Sequence, residues 1–152
     1  MSERDYVVGG CTALIDAIGG AIHHIGKLHK YFGESAPEHT MFVITTDGQE
    51  NASHRYTSEQ VKMMIERQKE KYGWEFLFLG ANIDAVEEAG RFGIKPERAV
   101  NYECDEIGTA VNYRALNKAV SRVRNCAANE MDKALAADWK EEIEADYSKR
   151  HR

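Results

Sequence analysis

The chain has 152 residues, of which 43% are hydrophobic and 30% charged, with a formal net charge of −5. This is the length of one ordinary domain with a single core and the composition of a soluble globular protein. The acidic balance supplies no basic field or aromatic-interleaved basic patch for a phosphate backbone, which excludes nucleic acid as the expected partner; no run is apolar enough for a bilayer, no signal-peptide hydrophobic region opens the sequence, and a cytoplasmic location is expected.

After a short polar lead, Val7-Val8-Gly9-Gly10-Cys11-Thr12 opens a helix. Its apolar positions, Leu14, Ile15, Ile18, Ile22, Ile25, Leu28 and Phe32, recur at three- and four-residue steps, so one face is expected in the core. Gly9 and Gly10 permit close backbone approach, and Thr12 stands where a hydroxyl either caps the helix or points at a ligand. Gly33 is the expected stop, and residues 35–39 form a loop. Next, Met41-Phe42-Val43-Ile44-Thr45-Thr46-Asp47-Gly48-Gln49-Glu50-Asn51 reads as a strand buried on both faces that runs out into a polar crevice. In an open α/β sheet, ligands bind in such a crevice beyond the carboxyl ends of the strands.

Thr57 and Gln60 have the spacing of a capping box, starting a helix to about Tyr72 with Val61, Met64 and Ile65 inward. Residues 74–79 form a second buried strand. Gly80-Ala81-Asn82 turns it into a short helix ending near Phe92, with Gly93 as its stop. This turn lacks the glycine spacing and the lysine of phosphate-binding loops and is read as structural. A weaker third strand is expected over Arg98–Tyr102. A long helix from Ile107 would then cover the sheet with Ile107, Val111, Leu116, Val120 and Val123. In the charged tail, Met131, Leu135, Trp139, Ile143 and Tyr147 recur every fourth residue and predict one helix with a narrow apolar stripe, packed on its own domain. The expected organisation is thus an α/β domain over residues 1–126 and a charged helical tail over 127–152. Alternation of strands and helices implies a Rossmann-like parallel sheet joined by right-handed crossovers.

Several residues are candidates for chemistry. Thr12 and Asp47 together offer a hydroxyl and a carboxylate to a hard divalent cation, or else each caps its own local turn. Glu50, Asn51 and Ser53 are ligand-facing or solvated. Cys11 at a helix start could serve as a nucleophile, but without a histidine placed beside it a buried thiol is the simpler reading. Cys11, Cys104 and Cys126 are odd in number and widely spaced, so they are read as reduced thiols rather than a disulfide framework or metal ligands. His23 and His24 are adjacent on a helix, point to different faces and are read as solvated.

Two segments, Gly9-Gly10-Cys11-Thr12-Ala13-Leu14-Ile15-Asp16-Ala17-Ile18-Gly19 and Ile44-Thr45-Thr46-Asp47-Gly48-Gln49-Glu50-Asn51, resemble the second and third segments of the metal-ion-dependent adhesion site of von Willebrand factor A domains. Residues 76–82 and 92–94 are similar to the bacterial and phage-type cytoplasmic members. The resemblance implies a doubly wound α/β domain that binds Mg²⁺ or Mn²⁺ at the top of its sheet, with a partner protein's carboxylate completing the coordination. It makes Thr12 and Asp47 the metal ligands, with Gly10, Thr46, Gly48, Glu50 and Asn51 facing the ligand or supporting it.

The family's first segment, an aspartate followed by two alternating serines, has no counterpart in this sequence, so the chain is read as the C-terminal portion of such a domain. Two expectations follow from that. Metal binding is weak or absent in this chain alone, because most of the direct oxygens are lost. The strand at 41–46 becomes a parallel edge, covered by self-association or by the charged tail. The expected function is a protein-interaction module and not an enzyme. The alternative is a Mg²⁺-dependent hydrolase or phosphoryl-transfer enzyme using Asp47.

Overall fold

The computed structural model describes residues 13–48 and 52–151. Three parallel strands, β1 (Met41–Thr46), β2 (Glu75–Gly80) and β3 (Ala99–Asn101), form one sheet in the order β1-β2-β3. The register runs from Met41 opposite Glu75 to Thr46 opposite Gly80, and from Phe78 opposite Ala99 to Gly80 opposite Asn101. Helices α1 (Leu14–Phe32), α2 (Ser58–Tyr72) and α3 (Ala85–Arg91) pack on one face, and α4 (Glu106–Arg124), α5 (Met131–Leu135) and α6 (Glu141–Arg150) on the other. The chain is therefore α/β with a Rossmann-like parallel sheet flanked by helices.

Strand periodicity divides the core into two layers. Phe76 and Phe78 of β2 join Ile18, Ile22, Val61, Ile65 and Phe92 on the first face, while Leu77 and Leu79 join Ala115, Ala119, Leu135, Trp139 and Ile143 on the second. Residues 76–79 of β2 are 0–1% exposed, which makes β2 the central strand. β1 is not buried on both faces along its length: Met41, Phe42 and Val43 are half-buried and Thr45 is exposed. Its sole strand neighbour among the described residues is β2, so it stands at the edge of the sheet they form.

Local signals at helix ends are realised as read. The Thr57 side chain accepts from the Gln60 amide, and the Gln60 side chain accepts from the Thr57 amide. Gly33, Gly73 and Gly93 all stand at positive φ just beyond α1, α2 and α3, where a side chain would be strained. The last turns of α1 leave the core: Leu28 is 41% exposed and Phe32 51%.

Two readings are corrected. The expected seam of α4 is rotated, with Gly108, Asn112, Ala115, Ala119 and Val123 buried and Ile107 62% exposed. Gly108 has no room for a side chain, because a Cβ there would lie 1.9 Å from the carbonyl oxygen of Glu103 in the loop that enters the helix. The tail is also not one helix. Ala136 takes φ 43° between α5 and a 3₁₀ turn (Ala137–Lys140) that leads into α6. Met131, Leu135, Trp139 and Ile143 nonetheless all reach the second layer. The tail is tied down by polar contacts as well. The Trp139 indole donates to the Glu97 carbonyl at 2.8 Å, and Lys140 Nζ to the Pro96 and Ala99 carbonyls at 2.9 and 3.0 Å. These contacts lie at β3, across the sheet from β1. No helix among the described residues is long and apolar enough to cross a membrane.

Candidate functional site

All three strands point their carboxyl ends the same way, and a crevice of about 460 Å³ opens there. Ala13, Leu14 and Ala17 of the α1 start, Thr45, Thr46 and Asp47 at the end of β1, and Tyr102 and Cys104 after β3 line it. Asp47 and Thr45 are exposed and Thr46 is buried. The Thr46 hydroxyl donates to the Gly48 carbonyl at 3.0 Å and accepts from the Gly48 amide at 3.4 Å, so it closes the turn after β1. Asn82, at φ 58°, donates through Nδ2 to the Asp47 carbonyl at 3.4 Å and so links the loop after β2 to the loop after β1.

Asp16, in the first turn of α1, holds the segment that follows β1. Its carboxylate accepts from the amides of His54, Arg55 and Tyr56 at 2.8 to 2.9 Å, and its own amide donates to the Ser53 hydroxyl at 3.0 Å. The His54 amide foremost, with those of Tyr56 and Arg55, holds the Asp16 carboxyl below the usual range. Gly19 completes the contact, since a Cβ there would stand 2.7 Å from the Tyr56 ring. The start of α1 and the segment after β1 are thereby fixed side by side.

On the opposite rim, burial first, and then Cys104 and Asp47, push the Tyr102 phenol up to about 12. It is protonated at neutral pH. Asp105 caps α4 by accepting from the Gly108 amide at 2.7 Å and pairs with Arg150, while His151 Nε2 lies 2.7 Å from Glu103. The end of α6 therefore rests against the loop that carries Cys104. Asn101 at the end of β3 accepts from the Ala85 amide at 2.9 Å and sets the start of α3.

Of the residues singled out in the sequence, Thr46 and Asp47 line the crevice, and Gly48 follows in the turn that the Thr46 hydroxyl closes. Gly10, Thr12, Glu50 and Asn51 fall outside the described residues. Ala13, next to Thr12 in the chain, lines the same crevice as Asp47. His23 and His24 are exposed, in keeping with solvation, and Cys104 and Cys126 are free thiols. Tyr102, Cys104, Asn82 and Asp16 were not singled out for this crevice. Three of them could have been found by noting that every strand of a parallel sheet delivers its carboxyl end to one crevice. Asp16 carries no such signal.

The donor set is the test for a divalent cation. An octahedral Mg²⁺ asks for six oxygens. At this crevice the described residues offer the Asp47 carboxylate and the Thr45 hydroxyl, the Thr46 hydroxyl being engaged within its turn. Among the described residues no three His, Cys, Asp or Glu side chains group so as to hold an ion. Taken alone, these donors do not fit a tight divalent site. Chemically the crevice is an exposed carboxylate beside a neutral phenol, hydroxyls and a thiol, suited to accepting hydrogen bonds and attracting positive charge.

Comparison with models of known families, with characterised proteins and with solved structures gave no match to this chain.

Proposed function

We propose that this chain is a protein-interaction module, a partial von Willebrand factor A-like domain whose docking face is the crevice around Asp47. One observation carries the reading: the α1 start and the β1 end, which carry described parts of the two family-like motifs, open onto one crevice, and Asp16 ties the α1 start to residues 53–56 beyond it. The exposed Asp47 carboxylate is free to meet a partner. A Mg²⁺ or Mn²⁺ at Asp47 and Thr12 would keep most of its water and take further oxygens from a partner's carboxylate, so its affinity in the isolated chain is low. The hydrolytic alternative is weaker, because among the described residues the side chains lining the crevice include no histidine or lysine to serve Cys104 or a water as base.

The test is calorimetric titration with Mn²⁺ in the presence of glutarate, a dicarboxylate standing in for the partner's side chain, on the native chain and on Asp47→Ala. Weak saturable heat that needs glutarate and disappears in Asp47→Ala is the expected result. Equal heat in both proteins removes Asp47 from the reading, and no heat in either removes the metal.

A further inference from the structure

At the other end of the sheet, about 20 Å along the strands from Asp47, a groove of about 550 Å³ lies between the C-terminal halves of α1 and α2 and the connection into β1. Its floor is apolar, formed by Ile22, 1% exposed, Trp74, 3% exposed, and the half-buried Met64. The His29 ring stands edge-on to Trp74 with centroids 5.3 Å apart. Around this floor stand Lys27, Lys30 and Arg67, with Glu38 the one carboxylate of the lining. None of the three cations has a carboxylate within 4 Å among the described residues.

On the second face Arg98, Arg114, Lys118, Arg122, Lys140 and Arg150 each meet an acid. In a chain of net charge −5, three unpaired cations around an aromatic floor are a local reversal of sign. We propose that this groove binds a small organic anion with a planar apolar body, the body lying against Trp74 and His29 and the anionic group held by Lys30 and Arg67. Concave sites of this volume with an apolar lining and a few convergent polar groups are of the size and kind that take small molecules. The ring faces favour a flat ligand, and the cations select its charge.

Anilinonaphthalene sulfonate is a suitable probe, with neutral N-phenylnaphthylamine as its uncharged counterpart. Fluorescence titrations would compare the native chain, Lys30→Glu/Arg67→Glu, and Lys133→Glu/Lys149→Glu, which makes the same charge change on exposed positions of the tail. The expected result is one saturable site per chain. Its affinity for the sulfonate falls at least about tenfold in the groove variant, roughly the loss of one good charged contact, and less than about twofold in the tail variant and in Asp47→Ala. Affinity for the neutral probe is unchanged in all four proteins. Non-saturating uptake, equal loss in the groove and tail variants, or equal loss for the charged and neutral probes would each overturn the proposal.

Discussion

The two faces of the sheet are built by different means. The first is filled by large side chains, with Phe76, Phe78 and Phe92 fully buried against Ile22, Val61 and Ile65. Among its polar fastenings between distant segments is Asp16 against residues 53–56. The second face is approached by a helix with small residues, Gly108, Ala115 and Ala119, and is then locked by ion pairs between α4 and the tail, Arg122–Asp138 at 2.8 Å and Arg114–Glu142 at 3.6 Å among them. Apolar area holds one layer, and close approach with charge pairing positions the other.

Truncating a large side chain should therefore damage the first face most. Phe76→Ala, at a site 1% exposed and in ring contact with Phe42 and Trp74, is expected to cost about 3–5 kcal/mol. Urea denaturation of the variant should bring the midpoint down without altering the slope. A loss below about 1 kcal/mol would mean that the aromatic layer is not what holds this face.

On the second face the largest effect should come from charge. Arg98 is 8% exposed, with its side chain 3.3 Å from Glu75 and 2.8 Å from Asp132, and it also donates to the Asp132 and Ala136 carbonyls at 3.1 and 3.4 Å. Arg98→Met leaves Glu75, whose side chain is 12% exposed, without its partner and frees the α5 end. The expected cost is about 3 kcal/mol. Limited proteolysis should cut first near Ala136, and adding Glu75→Gln should recover most of the loss. Failure of that second change to help would show that Arg98 acts through the carbonyls and not through the buried pair.

The small-residue contact predicts the opposite sensitivity to the first face. Ala119→Leu, at a position 1% exposed, should overpack the α4 contact and cost about 1–3 kcal/mol. By comparison, Asn112 is 5% exposed and its Oδ1 has no hydrogen-bond partner among the described residues. Asn112→Leu, close in shape, should be neutral or stabilise by about 1 kcal/mol, since it removes a buried acceptor that makes no bond. Both values come from the same denaturation experiment. Leucine tolerated at 119 and harmful at 112 would reverse the assignment of the contact.

How far these features were legible in the sequence depends on how locally they are encoded. The capping box at Thr57 and Gln60 and the glycine stops needed a few neighbouring residues, and they were read correctly. The α4 seam was misread because hydrophobicity selects Ile107 and Leu116, whereas the face turned inward is that of Gly108, Asn112, Ala115, Ala119 and Val123. The tail misled by its period. A step of four residues advances about 40° around an α-helix, so a stripe from Met131 to Tyr147 would wind off any single face. The break at Ala136 resets the phase and lets Trp139 and Ile143 join Met131 and Leu135. At the crevice, Thr46 and Asp47 were legible from the polar end of an apolar strand. Asp16 was not, because its partners are backbone amides 38 to 40 residues away.

Asp16 also gives the smallest and most local prediction, and it has a definite sign in pH. Its carboxyl is held below the ordinary value of 3.8 by the amides of residues 54–56, the His54 amide first. A carboxyl lowered in the folded state contributes stability that is fully present above its unfolded pKa and is lost as pH falls through its folded one. Asp16→Asn keeps one acceptor but gives up the charge, so the amides of His54, Arg55 and Tyr56 should exchange with solvent faster than in the native chain at neutral pH. The difference should shrink as pH falls below 3.8, where the native carboxylate is progressively protonated. If the gap between the two proteins stays constant across that range, the segment is held by the Gly19–Tyr56 contact and the Ser53 hydroxyl, and the charge of Asp16 is incidental to how the crevice is built.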